Sequence, residues 1–410
     1  MATSGNFVQL HNHTHYSLLD GASKIPDLVR RAKELNMPAV GITDHGNMHG
    51  AYEMWSTAVK EGVKPIIGIE AYVTPETARQ DQTRVSWDTN WNPDIDPQHR
   101  RRNPNDVSGG GLITHLTMWA ETDEGLVNLM KASTDANLEG RVMRYPRMDK
   151  EILAKYSKGI IASSGCPSGI IQTRLLLGQF DEALRAAGEL QDIFGRDNFY
   201  IEFMDHGLKI EKQVTDGLLD IAKKLNAPLL ATNDSHYVRA EDAGSQDAML
   251  CINSGSTLDE PGRFKFDGTG YYLKSAEEMR ELFKDIPEAC DNTLEIAERC
   301  NVMFDDHEDG AFMPQFDCPE GWDETSLFLK KVEEGLERRY DGHPPIEVLK
   351  QADYECGVIC QMQFCGYFLV VADYINWAKS HGVMVGPGRG SAAGAMVAYA
   401  MGITELDPIK

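Results

Sequence analysis

The sequence predicts an α/β fold followed by a mostly helical region, on the strength of three observations. Short apolar runs alternate with amphipathic runs up to about residue 240, whereas helical periodicity dominates after about residue 270. A polar segment punctuated by proline and glycine, residues 75–111, interrupts this alternation. Repeated strand–helix alternation is typical of parallel strands, either in a barrel or in a doubly wound sheet. We therefore predict two domains, residues 1–275 and residues 276–410.

The individual elements follow from composition and spacing. The helix candidate at 209–226 places Val214, Leu218, Ile221 and Leu225 at three- and four-residue intervals, which predicts one buried face. Strands are predicted at 7–11, 39–44, 64–73, 112–120, 159–165, 199–204 and 228–234. Helices are predicted at 25–36, 51–62, 181–195, 209–226, 275–285 and 287–300, and around 325–340, 346–363 and 368–381.

Charge and composition argue against several classes of protein. In 410 residues, 63 acidic side chains outnumber 40 basic ones and the net charge is −23, so binding of DNA through the overall field is not expected. One local basic patch is a candidate, His99–Arg102. No apolar run reaches the roughly 18 residues of a membrane span, and the N-terminal residues lack a secretory pattern, so a cytoplasmic protein is expected. Cys356, Cys360 and Cys365 fit no usual zinc spacing and are predicted to be buried thiols.

Every predicted strand ends beside a potential metal ligand. One such histidine or glutamate alone is more often structural, but seven strand ends in succession are hard to obtain by chance. A mixture of histidine, carboxylate and one cysteine suits zinc, manganese or iron better than calcium. The number of ligands exceeds the needs of one ion, so two or three ions are expected. Clustered ions are the usual apparatus of phosphoester hydrolysis, because they activate water and neutralise charge on the reacting oxygens. The residues at these ends are His11, His13, Asp44, His45, Glu70, His115, Cys166, Asp205, His206, Asp234 and His236.

The segments HNHTHYS, LLDG, GITDHGN, GIEAYV, SGCPSG and ATNDSHY resemble the PHP domain of the polymerase-and-histidinol-phosphatase phosphoesterases. They are most similar to the PHP domain at the start of bacterial C-family replicative DNA polymerases. The resemblance implies a distorted (β/α)7 barrel with a nine-ligand, three-metal site. It also implies a 3′–5′ proofreading exonuclease, in which activated water attacks the terminal phosphodiester of a DNA 3′ end. The implied ligands are His11, His13, Asp20, His45, Glu70, His115, Cys166, Asp234 and His236.

The same comparison leaves four polar residues without a ligand role. His15 has no ligand counterpart and is expected at the rim of the pocket. Asp44, Asp205 and His206 stand in segments familiar from the family, and we expect them either to orient ligands from behind or to be structural.

The last part of the chain carries a glycine-rich segment, VGPGRGSAAG, with glycines at 386, 388 and 390 before a run of small residues that predicts a helix. Such a segment suits backbone contact with phosphate, although tight packing explains many of them. Together with MPQF from residue 313 and YECGVICQMQFCGYFLVVADYINWAK, it resembles the palm of C-family polymerases. The resemblance implies that Gly388, Arg389 and Ser391 contact the phosphates of an incoming nucleotide.

Residues 276–410 are therefore predicted to form an incomplete, mostly helical palm region. Asp373 and Asp407 do not match the family's catalytic aspartates, which lie further along in such polymerases, so the 410 residues alone are not expected to polymerise DNA. For a full-length protein the resemblance implies a Mg²⁺-dependent DNA polymerase. It would bind primer–template DNA and dNTPs, and would contact a sliding clamp and other replisome subunits.

Two alternatives to the exonuclease remain open at this point. The PHP domain could be a metal-stabilised, non-catalytic scaffold that supports the polymerase and docks a separate proofreading subunit. A free-standing phosphatase of the histidinol-phosphate type would explain the barrel, but it would leave residues 311–410 unexplained.

Overall fold

The computed structural model describes residues 6–87, 105–106, 109–305 and 314–409. The chain divides into two compact units, the first ending at Phe304 and the second beginning at Asp305. The division therefore falls later than the predicted boundary at residue 275, because the helices that follow residue 275 pack into the first unit. The predicted basic patch His99–Arg102 and Met313 lie outside the described residues.

The first unit contains eight strands and ten helices within the described residues. The strands are β1 (Ala39–Ile42), β2 (Lys64–Val73), β3 (Thr114–Ala120), β4 (Arg141–Val142), β5 (Tyr145–Met148), β6 (Ile160–Ser163), β7 (Phe199–Phe203) and β8 (Leu229–Ala231). The helices are α1 (Ile25–Glu34), α2 (Ala51–Glu61), α3 (Asp123–Glu139), α4 (Lys150–Tyr156), α5 (Ile170–Leu176), α6 (Phe180–Phe194), α7 (Lys209–Leu225), α8 (Ala243–Ser254), α9 (Ala276–Leu282) and α10 (Pro287–Arg299).

The strands close into a barrel. The sheet runs β1, β2, β3, β6, β7, β8 by direct pairing, and the β4–β5 hairpin attaches to β2 through β5. The N-terminal segment closes the ring, since Gln9 bridges to Val40 of β1 and Asn12 bridges to Ser235 just after β8. This segment, predicted as the strand 7–11, makes isolated bridges rather than a continuous ladder.

One strand contradicts the prediction of a parallel sheet. β3 pairs antiparallel with both β2 and β6, while the β1–β2, β6–β7 and β7–β8 pairs are parallel. A parallel connection needs a crossover helix that buries an apolar face. The polar segment 75–111 offers no such face, so the chain can return alongside β2 in the opposite direction.

The amphipathic helices cover the outside of this barrel. Val214, Leu218 and Ile221 of α7 are buried as predicted, and Leu225 is partly buried at the end of the same face. Inside the barrel, Leu10, Trp119 and Tyr200 pack in one cluster with Ile296 of α10. The Val8 amide also donates to Thr293 Oγ1 at 3.1 Å. These contacts explain why α10 belongs to the first unit.

Within its described residues, the second unit has helices and no strands, with α11 (Glu324–Arg339), α12 (Ile346–Gln361), α13 (Cys365–Ser380) and α14 (Met396–Ala400). Asp323 caps α11 by accepting from the Ser326 amide at 2.7 Å. Phe328, Val348 and Leu369 lie in the core, as do the thiols of Cys356 and Cys365, whereas Cys360 is partly exposed. No single described helix is long and apolar enough to cross a membrane; α12 and α13 meet that criterion only when joined, across a bend of 114°.

Candidate metal centre

The nine side chains that the sequence nominates as ligands lie together at one end of the barrel. The N-terminal segment contributes His11 and His13, and the turn after it contributes Asp20. His45 follows β1, Cys166 follows β6, Asp234 and His236 follow β8, and Glu70 and His115 lie within β2 and β3. Three sets of potential ligand atoms each lie within 4.8 Å of one another: His13 with His45 and His236, His11 with His13 and Glu70, and His45 with Glu70 and His115.

Glu70 is the centre of this arrangement. Its side chain is 1% exposed and contacts four histidines. The distances are 3.5 Å to His11 Nε2, 3.5 Å to His13 Nε2, 2.6 Å to His45 Nδ1 and 3.0 Å to His115 Nδ1. A buried carboxylate among several histidine nitrogens would suit a site that holds divalent cations.

A second group of contacts surrounds Asp20. Its Oδ2 lies 2.8 Å from His45 Nε2 and 3.4 Å from His236 Nε2. His115 Nδ1 lies 3.3 Å from Cys166 Sγ on the other side of Glu70. The side chains of His11, His13 and Glu70 are almost fully buried, whereas those of Asp20 and His45 are 18% and 16% exposed. The site therefore has a closed floor around His11, His13 and Glu70, and it opens to solvent at Asp20 and His45 and also at His115 and Asp234.

Apart from the pairs His45 Nε2–Asp20 Oδ2 and His115 Nδ1–Cys166 Sγ, the described ligand atoms are packed closely without being hydrogen-bonded to each other. Among the described residues, the buried atoms without a hydrogen-bond partner include His11 Nε2, His13 Nε2, His45 Nδ1, His236 Nε2, both Glu70 oxygens and Asp234 Oδ1. Buried polar atoms normally find a partner, because leaving one unsatisfied costs about 1–3 kcal/mol. Such a concentration of unsatisfied nitrogen and carboxylate atoms fits divalent cations.

His13 shows the fit most clearly. The Ser17 hydroxyl donates to Asp44 Oδ1 at 2.7 Å, so its oxygen accepts from His13 Nδ1–H at 3.0 Å. In this neutral ring, His13 Nε2 carries no proton and can only accept, and it lies 3.0 Å from Asp234 Oδ1. Burial first, and then the charges of His45 and His236, lower the pKa of His13 to about 3, so the ring does not protonate to relieve this contact. A bound cation would satisfy both of these acceptors.

The electrostatics of the carboxylates and the thiol agree with this picture. Burial opposes ionisation of Glu70, but His115 and His45 outweigh it and hold the pKa of Glu70 well below its usual value. Burial raises the pKa of the Cys166 thiol, and the nearby charge of Glu70 raises it further. A thiol in this position loses its proton only to a strong local positive charge, which a bound divalent cation supplies.

Two carboxylates orient the rings of His11 and His13 by acting on the ring nitrogen that does not face the ligand cluster. Asp44 acts on His13 through Ser17, and it also accepts from the Thr14 amide at 2.7 Å, so the orienting role expected for Asp44 has a structural basis. Sequence reasoning missed Glu202 in β7, whose Oε1 lies 2.7 Å from His11 Nδ1. The available signal was a single glutamate inside the otherwise apolar run FYIEF. Ligating histidines commonly use their second nitrogen in this way, which fixes the tautomer and the ring orientation.

The other expected residues lie further from the ligand atoms. Asp205 Oδ1 accepts from the Gly207 amide at 2.9 Å and therefore serves a turn. His206 Nδ1 contacts Glu211 Oε1 at 2.6 Å, and its Nε2 lies 2.9 Å from the Asn233 carbonyl, so it supports the backbone next to Asp234. The His15 ring packs against Tyr16 and joins none of the three ligand sets, in agreement with its expected place outside the ligand set.

The predicted phosphate segment lies in the second unit. Gly388 has a φ of +125°, and a Cβ there would meet the Thr404 side chain at 3.0 Å, so this position requires glycine. Arg389 and Ser391 are exposed. Residues Ser391–Gly394 form a 3₁₀ turn before α14 rather than the start of a longer helix. Glycine and serine are poor helix formers, which accounts for the short turn.

Two family models match the chain. The model described as PHP domain matches residues 9–206, and the model described as bacterial DNA polymerase III alpha NTPase domain matches residues 326–410. Among solved structures, an amidohydrolase from Chromobacterium violaceum overlaps 57% of this chain and 88% of its own at 14% identity, with a TM-score of 0.34, too low for any inference.

Curated relatives match the whole length of the chain. The DNA polymerase III subunit alpha of Mycobacterium tuberculosis is 51% identical over 409 residues, which is 100% of this chain and 34% of that protein. The subunits of Mycobacterium leprae and Treponema pallidum are 51% and 41% identical, over 98% and 99% of the chain and 34% and 32% of their own lengths. The chain thus spans about a third of the length of these relatives. It belongs to the family of bacterial DNA polymerase III alpha subunits and matches their N-terminal part, which begins with a PHP domain.

Proposed function

We propose that the first unit is a metal-dependent 3′–5′ exonuclease that hydrolyses the terminal phosphodiester of a DNA 3′ end and so serves proofreading. The observation that carries the proposal is the contact of His13 Nε2 with Asp234 Oδ1 at 3.0 Å, two acceptors that a bound cation would satisfy. The site has a closed floor around Glu70 and is open to solvent at Asp20, as a hydrolytic centre with an entering substrate requires.

The residues proposed to hold two or three divalent cations (zinc, manganese or iron) are His11, His13, Asp20, His45, Glu70, His115, Cys166, Asp234 and His236. Bound cations of this kind activate water and neutralise charge on the phosphate oxygens. The protein's own contribution is orientation. Glu202 fixes the ring of His11, and Ser17 with Asp44 fixes the ring of His13, so that each presents Nε2 to the site.

For the whole protein we propose DNA-directed DNA polymerase activity in replication, in the cytoplasm. Its substrates would be a primer–template 3′ end and dNTPs, with Mg²⁺ at the polymerase site, and its partners a sliding clamp and other replisome subunits. In the second unit, Gly388, Arg389 and Ser391 would contact the nucleotide phosphates. The exposure of Arg389 and the glycine-only backbone at Gly388 support this assignment.

The exonuclease is tested by incubating the 410-residue chain with 3′-mismatched primer–template and with single-stranded DNA, with and without added manganese or zinc. We expect metal-dependent loss of nucleotides from the 3′ end. Asp20→Asn should abolish this activity and loosen metal binding, because Asp20 contacts both His45 and His236. The matched control is Asp205→Asn, which removes a carboxylate that serves only a turn and should leave cleavage unchanged.

The absence of cleavage would favour the alternative in which the PHP domain is a metal-stabilised, non-catalytic scaffold. If the chain carries its full complement of metal, measured by elemental analysis, and still leaves both DNAs intact, the exonuclease proposal fails for these residues. Cleavage that survives Asp20→Asn after confirmed metal loss would refute the assignment of the ligands.

A further inference from the structure

The hairpin β4–β5 presents one arginine at its tip. Val142 and Tyr145 pair across the hairpin, and the tip residues are Met143, with a φ of +54°, and Arg144. Met143 is 73% exposed and Arg144 is also exposed. The side chain of an arginine at such a position usually makes no contacts within the protein, yet here two sets of contacts hold the guanidinium.

The first set runs through aromatic rings to the candidate metal centre. The guanidinium carbon of Arg144 lies 5.3 Å from the centre of the Tyr145 ring, whose centre is 5.0 Å from that of Tyr72. The Tyr72 ring in turn stacks on His45 at 5.9 Å and meets His115 edge-on at 5.4 Å. The hairpin tip is therefore connected to two proposed ligands through a rigid stack.

The second set reaches the open side of the centre. Arg144 Nη1 donates to Asn253 Oδ1 at 2.8 Å, and Asn253 Nδ2 donates to the Leu19 carbonyl at 3.2 Å. Leu19 precedes Asp20, and the charge of Asp20 contributes to the raised pKa of Arg144, after the larger effect of Tyr145. Arg144 thus stands beside the opening of the site.

Arg144 has no carboxylate partner among the described residues, a property that it shares with Arg141 of the same hairpin. Other arginines around the barrel each contact carboxylates within 3.1 Å, namely Arg79, Arg185 and Arg263. The hydrogen-bond partners of Arg144, the Asn253 amide and the Tyr145 side chain, are neutral, so most of its five N–H donors remain available. In a chain of net charge −23, an unneutralised guanidinium beside a carboxylate-rich centre suits an anionic ligand.

We propose that Arg144 binds a phosphate of the DNA backbone at the entrance to the metal centre. Two aromatic rings separate the guanidinium from His45 and His115, so it would contact a phosphodiester further along the strand than the one being cleaved. This inference rests on the proposed exonuclease function and adds a substrate-binding residue to it. The contact explains how an acidic protein holds a polyanion without a positive overall field.

The test compares two substrates of the 410-residue chain. Single-stranded DNA carries further phosphates along the strand, whereas bis(p-nitrophenyl) phosphate is a phosphodiester without them. Arg144→Ala should raise KM for DNA by about tenfold, the loss expected for one charge-assisted contact, with kcat little changed. Hydrolysis of the small substrate should be unaffected. Arg144→Lys should recover part of the affinity, because lysine keeps the charge and loses the planar fork.

Two controls separate a specific contact from general electrostatics. Arg141→Ala removes the same charge from the same hairpin, where Arg141 Nε contacts only the Met143 carbonyl, and it should leave KM unchanged. A single neutral methylphosphonate, placed in turn at each linkage behind the terminal one, should weaken binding to the unmodified chain at the contacted linkage, but should add nothing there to the Arg144→Ala defect.

The outcomes distinguish this inference from the function on which it rests. If the unmodified chain cleaves DNA and Arg144→Ala has the same KM, or if Arg141→Ala causes an equal defect, Arg144 is not a phosphate contact. An equal loss on both substrates would also overturn the inference, because it would locate the defect in the metal centre. If the unmodified chain hydrolyses neither substrate with metal bound, the exonuclease proposal fails and this inference fails with it.

Discussion

At the scale of single residues, the candidate centre depends on side chains that lie outside the proposed set of metal ligands. Ser17 is 1% exposed and joins three elements of the site, since its hydroxyl donates to Asp44 and accepts from His13 Nδ1 and the His45 amide. Glu202 holds His11 in the same manner and receives hydroxyl hydrogen bonds from Ser163 and Thr232. A neutral hydroxyl therefore controls which nitrogen of His13 faces the ligand cluster.

Removing that hydroxyl should weaken the centre without removing a ligand. We expect Ser17→Ala to lower metal affinity and any hydrolytic activity by about 10- to 100-fold, because His13 loses the acceptor that fixes its tautomer. Metal titration by calorimetry and the DNA assay measure the two effects.

Ser56→Ala is the matched control, since the Ser56 hydroxyl donates only to the Glu53 carbonyl within α2. Unchanged metal affinity in Ser17→Ala would show that Asp44 and Ser17 do not orient His13.

At the scale of elements, one carboxylate of the second unit connects two of its helices. Glu405 follows α14 and contacts Arg339 Nη1 at 2.6 Å and Lys379 Nζ at 2.5 Å, at the ends of α11 and α13. The hydrogen bond from Arg339, and then that from Lys379, lower the pKa of Glu405 to about 2, against a burial effect that opposes ionisation. The carboxylate thereby connects the C-terminal ends of both helices.

This network predicts a pH-dependent contribution to stability. The pKa of Glu405 is lower in the folded chain than in the unfolded one, so its contribution is complete above about pH 4.5 and disappears as the pH falls towards 2. Since the side chain is 39% exposed and solvent screens the pairs, we expect Glu405→Gln to cost about 1 kcal/mol at pH 7. The difference in the free energy of unfolding between Glu405→Gln and the unmodified chain should become smaller as the pH falls below 4.

Hydrogen exchange of the amides in α11 and α13, compared at pH 7 and at lower pH, measures this contribution in the second unit alone. Glu333→Gln, which removes the exposed pair with Lys330, should change exchange very little. An equal effect of the two substitutions, or a pH-independent one, would contradict the proposed network.

At the scale of the whole chain, the first unit needs the helices that follow residue 275. Ile296 is fully buried among barrel residues, and Asn292 Nδ2 donates to the Leu229 carbonyl at 2.7 Å. The Phe304 ring packs against Tyr52 and Trp55 of α2, with ring centres 5.6 Å apart in both pairs. Residues 276–304 therefore complete the core of the barrel unit.

A chain cut after residue 275 should accordingly be much less stable than one cut after residue 304. Burial of one large apolar side chain contributes about 1.5–3 kcal/mol, so losing Ile296 and its neighbours removes on the order of 5 kcal/mol. That is a large share of the free energy of unfolding of a typical domain, which is about 5–15 kcal/mol. Urea denaturation followed by circular dichroism compares the two fragments; equal midpoints would show that α9 and α10 are dispensable.

The sequence by itself determined the class of fold and most element positions, and it nominated the side chains of the candidate ligand set. Periodicity is local, so the buried face of α7 and the alternation of strands and helices could be read along the chain. His11, His13, Glu70 and Asp234 were recognised because ligand types recur at strand ends and match a known family pattern. These features depend on residues close in sequence.

Only the tertiary structure decided the features that depend on distant contacts. The antiparallel direction of β3 follows from how the chain returns to β2, and the assignment of α10 to the first unit follows from its packing with residues near the N-terminus. Glu202 reaches His11 from a residue 191 positions away, and Arg144 reaches the opening through Asn253, 109 positions away. Hydrogen bonds and packing act over ångströms in space, and no local pattern in the sequence records which distant residues the fold brings within that range.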